Sequence, residues 1–218
     1  MKLPLKSGWW VSVALALSLL VVAVVLALAA CGSGSGETTF TVPSDLPSWP
    51  AGASPSPAVS YPPQTGTTAD FRACTGGWEF RPYVDIALSA LGLFDDSQDG
   101  LLRSHQVGIF ETSSEHLIVS RYVDSQSTLD GALRWESVEP SVVLKAGKSY
   151  VVAWAVKGPP FDPEIRGHPS EMVWAAEIDY VSYRESSGSA FRYPPKSPYF
   201  FVTANFKFKP VSASSPSP

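Results

Sequence analysis

The sequence predicts an all-β domain, a jelly-roll-like antiparallel β-sandwich behind a disordered linker. Residues 67–211 hold 21 of the 26 aromatic residues of the chain, and aromatic residues are enriched in strands. Short runs of alternating apolar and polar residues, separated by turn residues, fill this region, and no window has the apolar spacing of an amphipathic helix. The region is also long enough to bury a core without disulfides.

Eight strands are predicted, each bounded by turn or loop residues. The strongest hairpin turns at 113–115. Asp130 and Gly131 mark a further turn, and four prolines make 158–170 a long loop. In chain order the predicted strands are 77–81, 85–94, 104–112, 116–123, 132–138, 149–156, 173–183 and 200–208.

The first 31 residues have the pattern of an export signal. Lys2 and Lys6 precede an uncharged run over 8–30 that ends in small residues. The string Leu-Ala-Ala-Cys at 28–31 resembles a bacterial lipobox. That resemblance implies that Cys31 is diacylated, with palmitate-type chains, and that the preceding peptide is removed.

Two alternatives to lipidation stay open, because the apolar run is near the ~20 residues that cross a bilayer. One is an uncleaved transmembrane anchor and the other is simple secretion. Lipid anchoring and a membrane helix both place the rest of the chain outside the cytoplasmic membrane, at the cell membrane or in the outer envelope. Two acyl chains are enough for stable anchoring.

The segment after the signal has the composition of a spacer. Pro, Ser, Gly and Thr make up 23 of the 35 residues from 32 to 66. The segment therefore contains too few apolar groups to offset the entropy lost when a chain becomes ordered. The predicted divisions are a signal peptide at 1–30, a lipid-anchored linker at 31–66, the β-sandwich at 67–211 and a disordered tail at 212–218.

Charge and cysteine content exclude two classes of protein, nucleic-acid-binding proteins and disulfide-stabilised scaffolds. The chain has 16 basic and 20 acidic residues, and removal of Lys2 and Lys6 leaves 14 basic residues and a formal charge of −6. Nucleic-acid binding needs a basic surface that is not visible here. Two cysteines, one at the lipobox, exclude a disulfide scaffold. Cys74 is interpreted as a small buried hydrophobe, with a reactive thiol as the alternative.

Three strings carry a second resemblance: ALSALGLFDDSQDGLLRSHQVGIFE, LDGALRWESVEP and LKAGKSYVVAWAV. They resemble an uncharacterised β-sandwich domain of secreted bacterial proteins, many of which carry a PEP-CTERM sorting tail. The resemblance covers about 77–208 and implies a secreted β-sandwich, with no activity to transfer. This chain lacks the Pro-Glu-Pro motif, apolar helix and basic end of that tail, and a lipid anchor at the other end would replace it.

One loop has part of a calcium-binding pattern. Asp95, Ser97 and Asp99 alternate and a glycine follows, as in the first half of an EF-hand loop. Arg103 and Gln106 stand at the ninth and twelfth positions, where ligands are expected. Calcium binding at Asp95, Ser97 and Asp99 is therefore one hypothesis and a polar hairpin loop is the other. No other cofactor is expected.

No motif for catalysis is present, so an enzyme is not expected. The three histidines, His105, His116 and His168, are not at metal-ligand spacing. His105 is interpreted as a satisfied, half-buried strand residue.

Tyrosines offer a candidate ligand site. Tyr193 and Tyr199 flank a segment with three prolines, which predicts a position at the rim of a sheet. Trp135, Trp154 and Trp174 are either a stacking face for sugars or, by the more usual role of strand aromatics, core.

The sequence therefore favours a cell-envelope lipoprotein that presents a structural or binding β-sandwich. A carbohydrate-binding module that uses the aromatic rim is the alternative, and an enzyme of unknown reaction is the third hypothesis. The expected partners are the membrane, through the lipid, and a cell-surface glycan or protein, with no nucleic acid.

Overall fold

A computed structural model describes residues 40–46, 49, 52–61, 67–68, 73–165, 168–199 and 202–211. The chain divides into two compact units, 1–41 and 42–218, and only two residues of the first are described. In the second unit, the described residues form fourteen strands and one 3-10 turn (Pro169–Glu171), with no α-helix among them.

The strands correspond closely to the predicted pattern. All eight predicted strands are present, 116–123 with the predicted bounds and the others with shifted ends, and 173–183 is divided into two strands. Five short strands (the first three, the eighth and the eleventh) lie outside the predicted set. The bounds are β1 (Ser56–Pro57), β2 (Val59–Ser60), β3 (Thr67–Thr68), β4 (Cys74–Pro82), β5 (Ile86–Phe94), β6 (His105–Glu111), β7 (His116–Val123), β8 (Thr128–Asp130), β9 (Leu133–Leu144), β10 (Tyr150–Val156), β11 (Glu164–Ile165), β12 (Val173–Trp174), β13 (Ile178–Ser187) and β14 (Ala204–Pro210).

Two five-stranded sheets make the sandwich. Sheet A has the order β1-β14-β5-β9-β8 and sheet B the order β13-β4-β10-β6-β7. Two small ladders, β11-β3 and β12-β2, lie beside them. The pairings between the described strands are antiparallel. The predicted all-β antiparallel sandwich is confirmed.

Aromatic rings fill the space between the sheets. Trp78 of β4 stacks on Phe206 of β14 with ring centroids 5.8 Å apart, and Phe80 lies 4.6 Å from the same ring. The indole nitrogen of Trp78 donates a hydrogen bond of 2.8 Å to the carbonyl of Ala204 in the opposite sheet. All three rings are fully buried, so their apolar area and a satisfied indole N–H join the two layers.

The open side between β14 and β13 is closed by residues 56–60. β1 pairs with β14 and β2 pairs with β12, while Ala58 and Val59 are buried in the core. The predicted linker, which ran to residue 66, therefore includes part of the sandwich. Strand pairing uses backbone groups, which all residues carry apart from the missing N–H of proline, so composition alone does not exclude it.

On the opposite side, Arg121 joins the edge of sheet B to sheet A. Its guanidinium donates to the carbonyls of Ser137 at 2.9 Å and Glu139 at 3.1 Å, both in β9. The Arg121 side chain thus covers the space between the free edge of β7 and β9 and satisfies two backbone carbonyls of β9; covering an edge in this way protects it from unwanted pairing.

Candidate functional site

A proline-rich segment lies along the outer edge of sheet B. The amide of Glu185 donates to the carbonyl of Pro195 at 2.9 Å, and the amide of Ser197 donates to the carbonyl of Tyr183 at 3.0 Å. These bonds attach the segment to β13, the edge strand. The prolines had predicted this position, because proline lacks the N–H that a central strand needs.

Tyr193 of this segment lines a cavity of about 380 Å³. Its ring packs edge-on against Phe110, with centroids 5.9 Å apart, and the guanidinium carbon of Arg184 lies 5.4 Å from its centroid. Tyr199 is 57% exposed and is not in the cavity wall. The structure therefore separates the two predicted ligand residues. The cavity is lined by Thr112, Glu115, Arg184, Tyr193, Pro195 and Lys196.

Arg184 is fixed in the cavity wall by Glu79. One guanidinium nitrogen lies 2.5 Å from the Glu79 carboxylate, and the Ser182 hydroxyl donates to the same oxygen at 2.9 Å. Arg184 is only 8% exposed. A charge-assisted hydrogen bond of this kind holds the guanidinium in one orientation.

Two polar atoms of the wall have no hydrogen-bond partner among the described residues. They are the Nε of Arg184 and the hydroxyl oxygen of Thr112, and both are buried. A buried donor without a partner costs about 1–3 kcal/mol. Because these two atoms have almost no exposed surface, the polar side chains of the wall that a ligand can reach are the exposed Glu115 and Lys196.

Tyr180 and Tyr183 lie on β13, the strand that carries Arg184. Burial raises the pKa of Tyr183 to about 12, and burial also raises the pKa of Tyr180. Both phenols therefore stay protonated near neutral pH and act as hydrogen-bonding groups rather than as bases.

The predicted calcium loop uses its first aspartate for another purpose. The Asp95 carboxylate lies 2.6 Å from the Nε of Arg134 and accepts the Gly100 amide at 3.1 Å through the same oxygen. Asp95 is 3% exposed, whereas Ser97 and Asp99 are exposed. Among the described residues, no group of three or more His, Cys, Asp or Glu side chains is arranged to hold a metal. Calcium binding at this loop stays a prediction.

His105 is more deeply buried than predicted, at 3% exposure. Its Nε2 lies 2.7 Å from an Asp162 carboxylate oxygen and its Nδ1 lies 3.1 Å from the carbonyl of Ala155. The other Asp162 oxygen accepts the amide of Leu102 at 2.7 Å. Nε2 therefore attaches the long loop to β6, while Nδ1 bonds to the neighbouring strand β10.

A second cleft, of about 320 Å³, lies on the outer face of sheet A and includes Trp135 and Tyr61. Trp135 lies over Gly92, where a Cβ atom would come within 2.4 Å of the indole, and the ammonium of Lys207 covers the ring at 4.5 Å from its centroid. The indole is 6% exposed, so its faces are not available for stacking. The sequence did not indicate this cleft, because Tyr61 falls in the predicted linker.

The other predicted residues lie elsewhere. Trp154 is buried in the core, and Trp174 packs partly buried against it. Cys74 also packs partly buried against the core. Cys31 and the apolar run lie outside the described residues. No helix within the described ranges is long and apolar enough to cross a bilayer.

Comparison with protein-family models, curated proteins and solved structures finds no match for this chain. The lipobox and the resemblance to the domain of PEP-CTERM-type proteins therefore stay predictions.

Proposed function

We propose that this protein is a lipid-anchored, non-catalytic binding domain of the cell envelope, located outside the cytoplasmic membrane. The basic start, apolar run and Leu-Ala-Ala-Cys string support the anchor. The domain also begins with residues 56–60 paired into the sandwich. A tether that enters through a paired strand gives the domain a firm attachment at its membrane-proximal end.

The observation that carries the binding role is the cavity beside Tyr193. It offers one aromatic ring, that of Tyr193, beside the exposed polar side chains of Glu115 and Lys196. Ligand sites commonly combine an apolar wall with a few polar groups that fix orientation.

A carbohydrate is the ligand that this combination favours. A sugar ring presents an apolar C–H face, which packs on an aromatic ring, and hydroxyl groups, which both donate and accept hydrogen bonds. Tyr193 supplies the ring, and the exposed Glu115 and Lys196 supply an acceptor and a donor.

The anchor is tested by the mass of the protein extracted from membranes. We expect a chain that begins at Cys31 and carries added lipid, and Cys31→Ser should leave the protein unlipidated. A chain that retains Met1 and carries no lipid would contradict the lipoprotein proposal.

The ligand site is tested on an array of purified glycans. Tyr193→Ala should weaken binding about tenfold or more, because the aromatic wall is lost. Tyr199→Ala is the matched control, since Tyr199 is exposed and not in the wall. Thermal unfolding of both variants separates loss of binding from loss of folding. Equal effects of the two substitutions would contradict a site at Tyr193.

A further inference from the structure

His105 and Asp162 form a buried pair that joins β6 to the loop between β10 and β11. The Nε2 of His105 lies 2.7 Å from an Asp162 carboxylate oxygen, and its Nδ1 lies 3.1 Å from the carbonyl oxygen of Ala155 in β10. The two side chains are only 4% and 9% exposed. On the other side of β6, β7 places Val123 opposite His105. The neighbouring strands therefore meet the histidine with uncharged groups, and its charged partner comes from the loop.

Both partners of the imidazole are hydrogen-bond acceptors. The Ala155 carbonyl can only accept, so Nδ1 carries a proton, and an ionised carboxylate can only accept, so Nε2 needs a proton as well. The alternative form, in which a protonated Asp162 donates to Nε2, contains the same number of protons. In either form the pair holds one proton more than a neutral histidine beside an ionised aspartate. If that proton leaves, the lone pair of Nε2 faces the carboxylate and the hydrogen bond is lost.

The other contacts of this loop with the residues before β6 are exposed to solvent. The second Asp162 oxygen accepts the Leu102 amide at 2.7 Å, and Arg103 donates to the carbonyl of Pro159. Hydrogen bonds at exposed positions compete with water and contribute little net stability. The bond between Asp162 and His105 is therefore the contact on which attachment of the loop depends most.

Further carboxylates lie near Asp162 and favour retention of the shared proton. Asp95, Asp96 and Asp99 line the same cavity as Asp162, which has a volume of about 170 Å³. Arg134 offsets the charge of Asp95, and Asp96 and Asp99 are exposed. Neighbouring negative charges favour the neutral form of an acid and the charged form of a base. Either effect keeps the proton in the pair.

The positive groups near the pair make other contacts. The Arg103 guanidinium is bonded to the loop backbone, and the ammonium of Lys157 lies 5.5 Å from the centroid of the Tyr122 ring. His168, further along the same connection, bonds through Nδ1 to the Ser170 hydroxyl at 2.8 Å. These groups are therefore engaged elsewhere and do not take the place of the proton.

We infer that His105 and Asp162 form a proton-dependent latch, which holds residues 158–163 against β6 while the pair keeps its shared proton and releases them when that proton is lost. Between about pH 4 and about 6.5 a free histidine is charged and a free aspartate is ionised, so the latched and released chains hold the same protons and the latch is complete. At higher pH the released chain loses the proton first, so attachment weakens as the pH rises. Release opens one wall of the cavity that Asp162 and Pro163 line. The inference is independent of the ligand site at Tyr193.

Asp162→Asn tests the latch because it reverses the polarity of one hydrogen bond. The asparagine oxygen still accepts the Leu102 amide, and its NH2 group donates to a neutral Nε2, so the loop stays attached without the shared proton. The experiment follows hydrogen exchange of the loop in the full-length protein in detergent, with a calcium chelator present. The range is about pH 6 to about 9, below that in which tyrosines ionise.

After correction for the intrinsic effect of pH, exchange of the loop should rise about tenfold or more in the natural protein. It should stay nearly constant in Asp162→Asn. His116→Gln replaces an exposed histidine; this variant is the control and should behave as the natural protein does. The inference is overturned if exchange in the natural protein does not depend on pH, or if it rises as steeply in Asp162→Asn.

A second measurement keeps the test decisive if Asp162→Asn does not fold. The chain has three histidines, so isotopic labelling of their ring nitrogens and magnetic resonance report the protonation of each. In the natural protein we expect the His105 signals to change over the same pH range in which exchange of the loop increases. A His105 ring that loses its proton while the loop stays protected would overturn the latch.

Discussion

The side-chain amide of Asn205 makes hydrogen bonds to both backbone groups of Val59. Its Nδ2 donates to the Val59 carbonyl at 2.7 Å, and its Oδ1 accepts the Val59 amide at 3.4 Å. The Asn205 side chain therefore continues the hydrogen bonding between this segment and β14 beyond the last backbone pair of the β1–β14 ladder. Because Asn205 is fully buried, this contact fixes the start of the domain to its last strand.

Asn205→Ala should lower the free energy of unfolding by about 2–3 kcal/mol, since the substitution leaves buried backbone groups of Val59 without partners. Urea unfolding measures this change. Ser89→Ala is the control, because its part-buried hydroxyl also bonds to β14, at 3.3 Å to the Lys207 carbonyl, but its loss leaves no buried donor. Equal losses in the two variants would show that Asn205 has no special role.

A chain that begins at residue 67 should be less stable than one that begins at residue 52. The shorter chain lacks Ala58 and Val59, which are buried in the core, and burial of a valine side chain alone contributes about 1.5–3 kcal/mol. Thermal unfolding of the two chains measures the difference. Equal stability would restore the domain boundary that the sequence predicted.

Asp95→Asn should destabilise the protein by about 3–5 kcal/mol, because it leaves the buried guanidinium of Arg134 without its carboxylate. Asp99→Asn, at an exposed position, should change stability by less than about 0.5 kcal/mol. Unfolding is measured with and without millimolar calcium. If the loop binds calcium, the ion stabilises the natural protein and both substitutions remove that effect; if Asp95 serves Arg134 alone, calcium has no effect on any of the three.

The strands that could be predicted are those with a local pattern. Alternation located β6, β7 and β10 to within two residues. In β9 the predicted strand stopped at residue 138. The structure continues the strand to Leu144 through a register shift opposite Leu88 and Ala90, and irregularities of this kind leave no signal in hydrophobic alternation.

The candidate site was only partly predictable for a related reason. Proline content placed Tyr193 at a sheet edge, which the structure supports. Pro195 and Lys196 belong to the same segment, but Thr112 and Glu115 come from the turn between β6 and β7 and Arg184 from β13. Arg184 also depends on Glu79, 105 positions away. Such long-range partners follow from strand order, which local patterns do not contain. For the same reason nothing marked Val59 as the partner of Asn205.

Gly92→Ala should destabilise the protein by about 1–3 kcal/mol through overpacking, because the added Cβ would lie 2.4 Å from the indole of Trp135. Gly131→Ala is the control for overpacking. Its φ of 63° makes the substitution strained, but no heavy atom lies within 4 Å of the added Cβ, so nothing is overpacked. Only Gly92→Ala should also shift the fluorescence of the protein by moving Trp135. An unchanged spectrum together with unchanged stability would mean that the indole does not rest on Gly92.

Alkaline pH should destabilise the protein through its buried tyrosines. Burial raises the pKa of Tyr183 from 10.0 to about 12, so the folded state disfavours tyrosinate. Below pH 10 the phenol is neutral in both states and its contribution to stability is complete. As the pH rises from 10 towards 12, the unfolded chain ionises first and the free energy of unfolding falls.

Tyr183→Phe should lower stability at neutral pH by about 1 kcal/mol, because the hydrogen bond with Tyr180 is lost, and it should flatten the decline above pH 10. Tyr122→Phe, at a ring that is 55% exposed, is the control and should keep the decline of the natural protein. Urea unfolding across this pH range measures the slopes, and a decline in Tyr183→Phe as steep as in the control would exclude Tyr183 as its source.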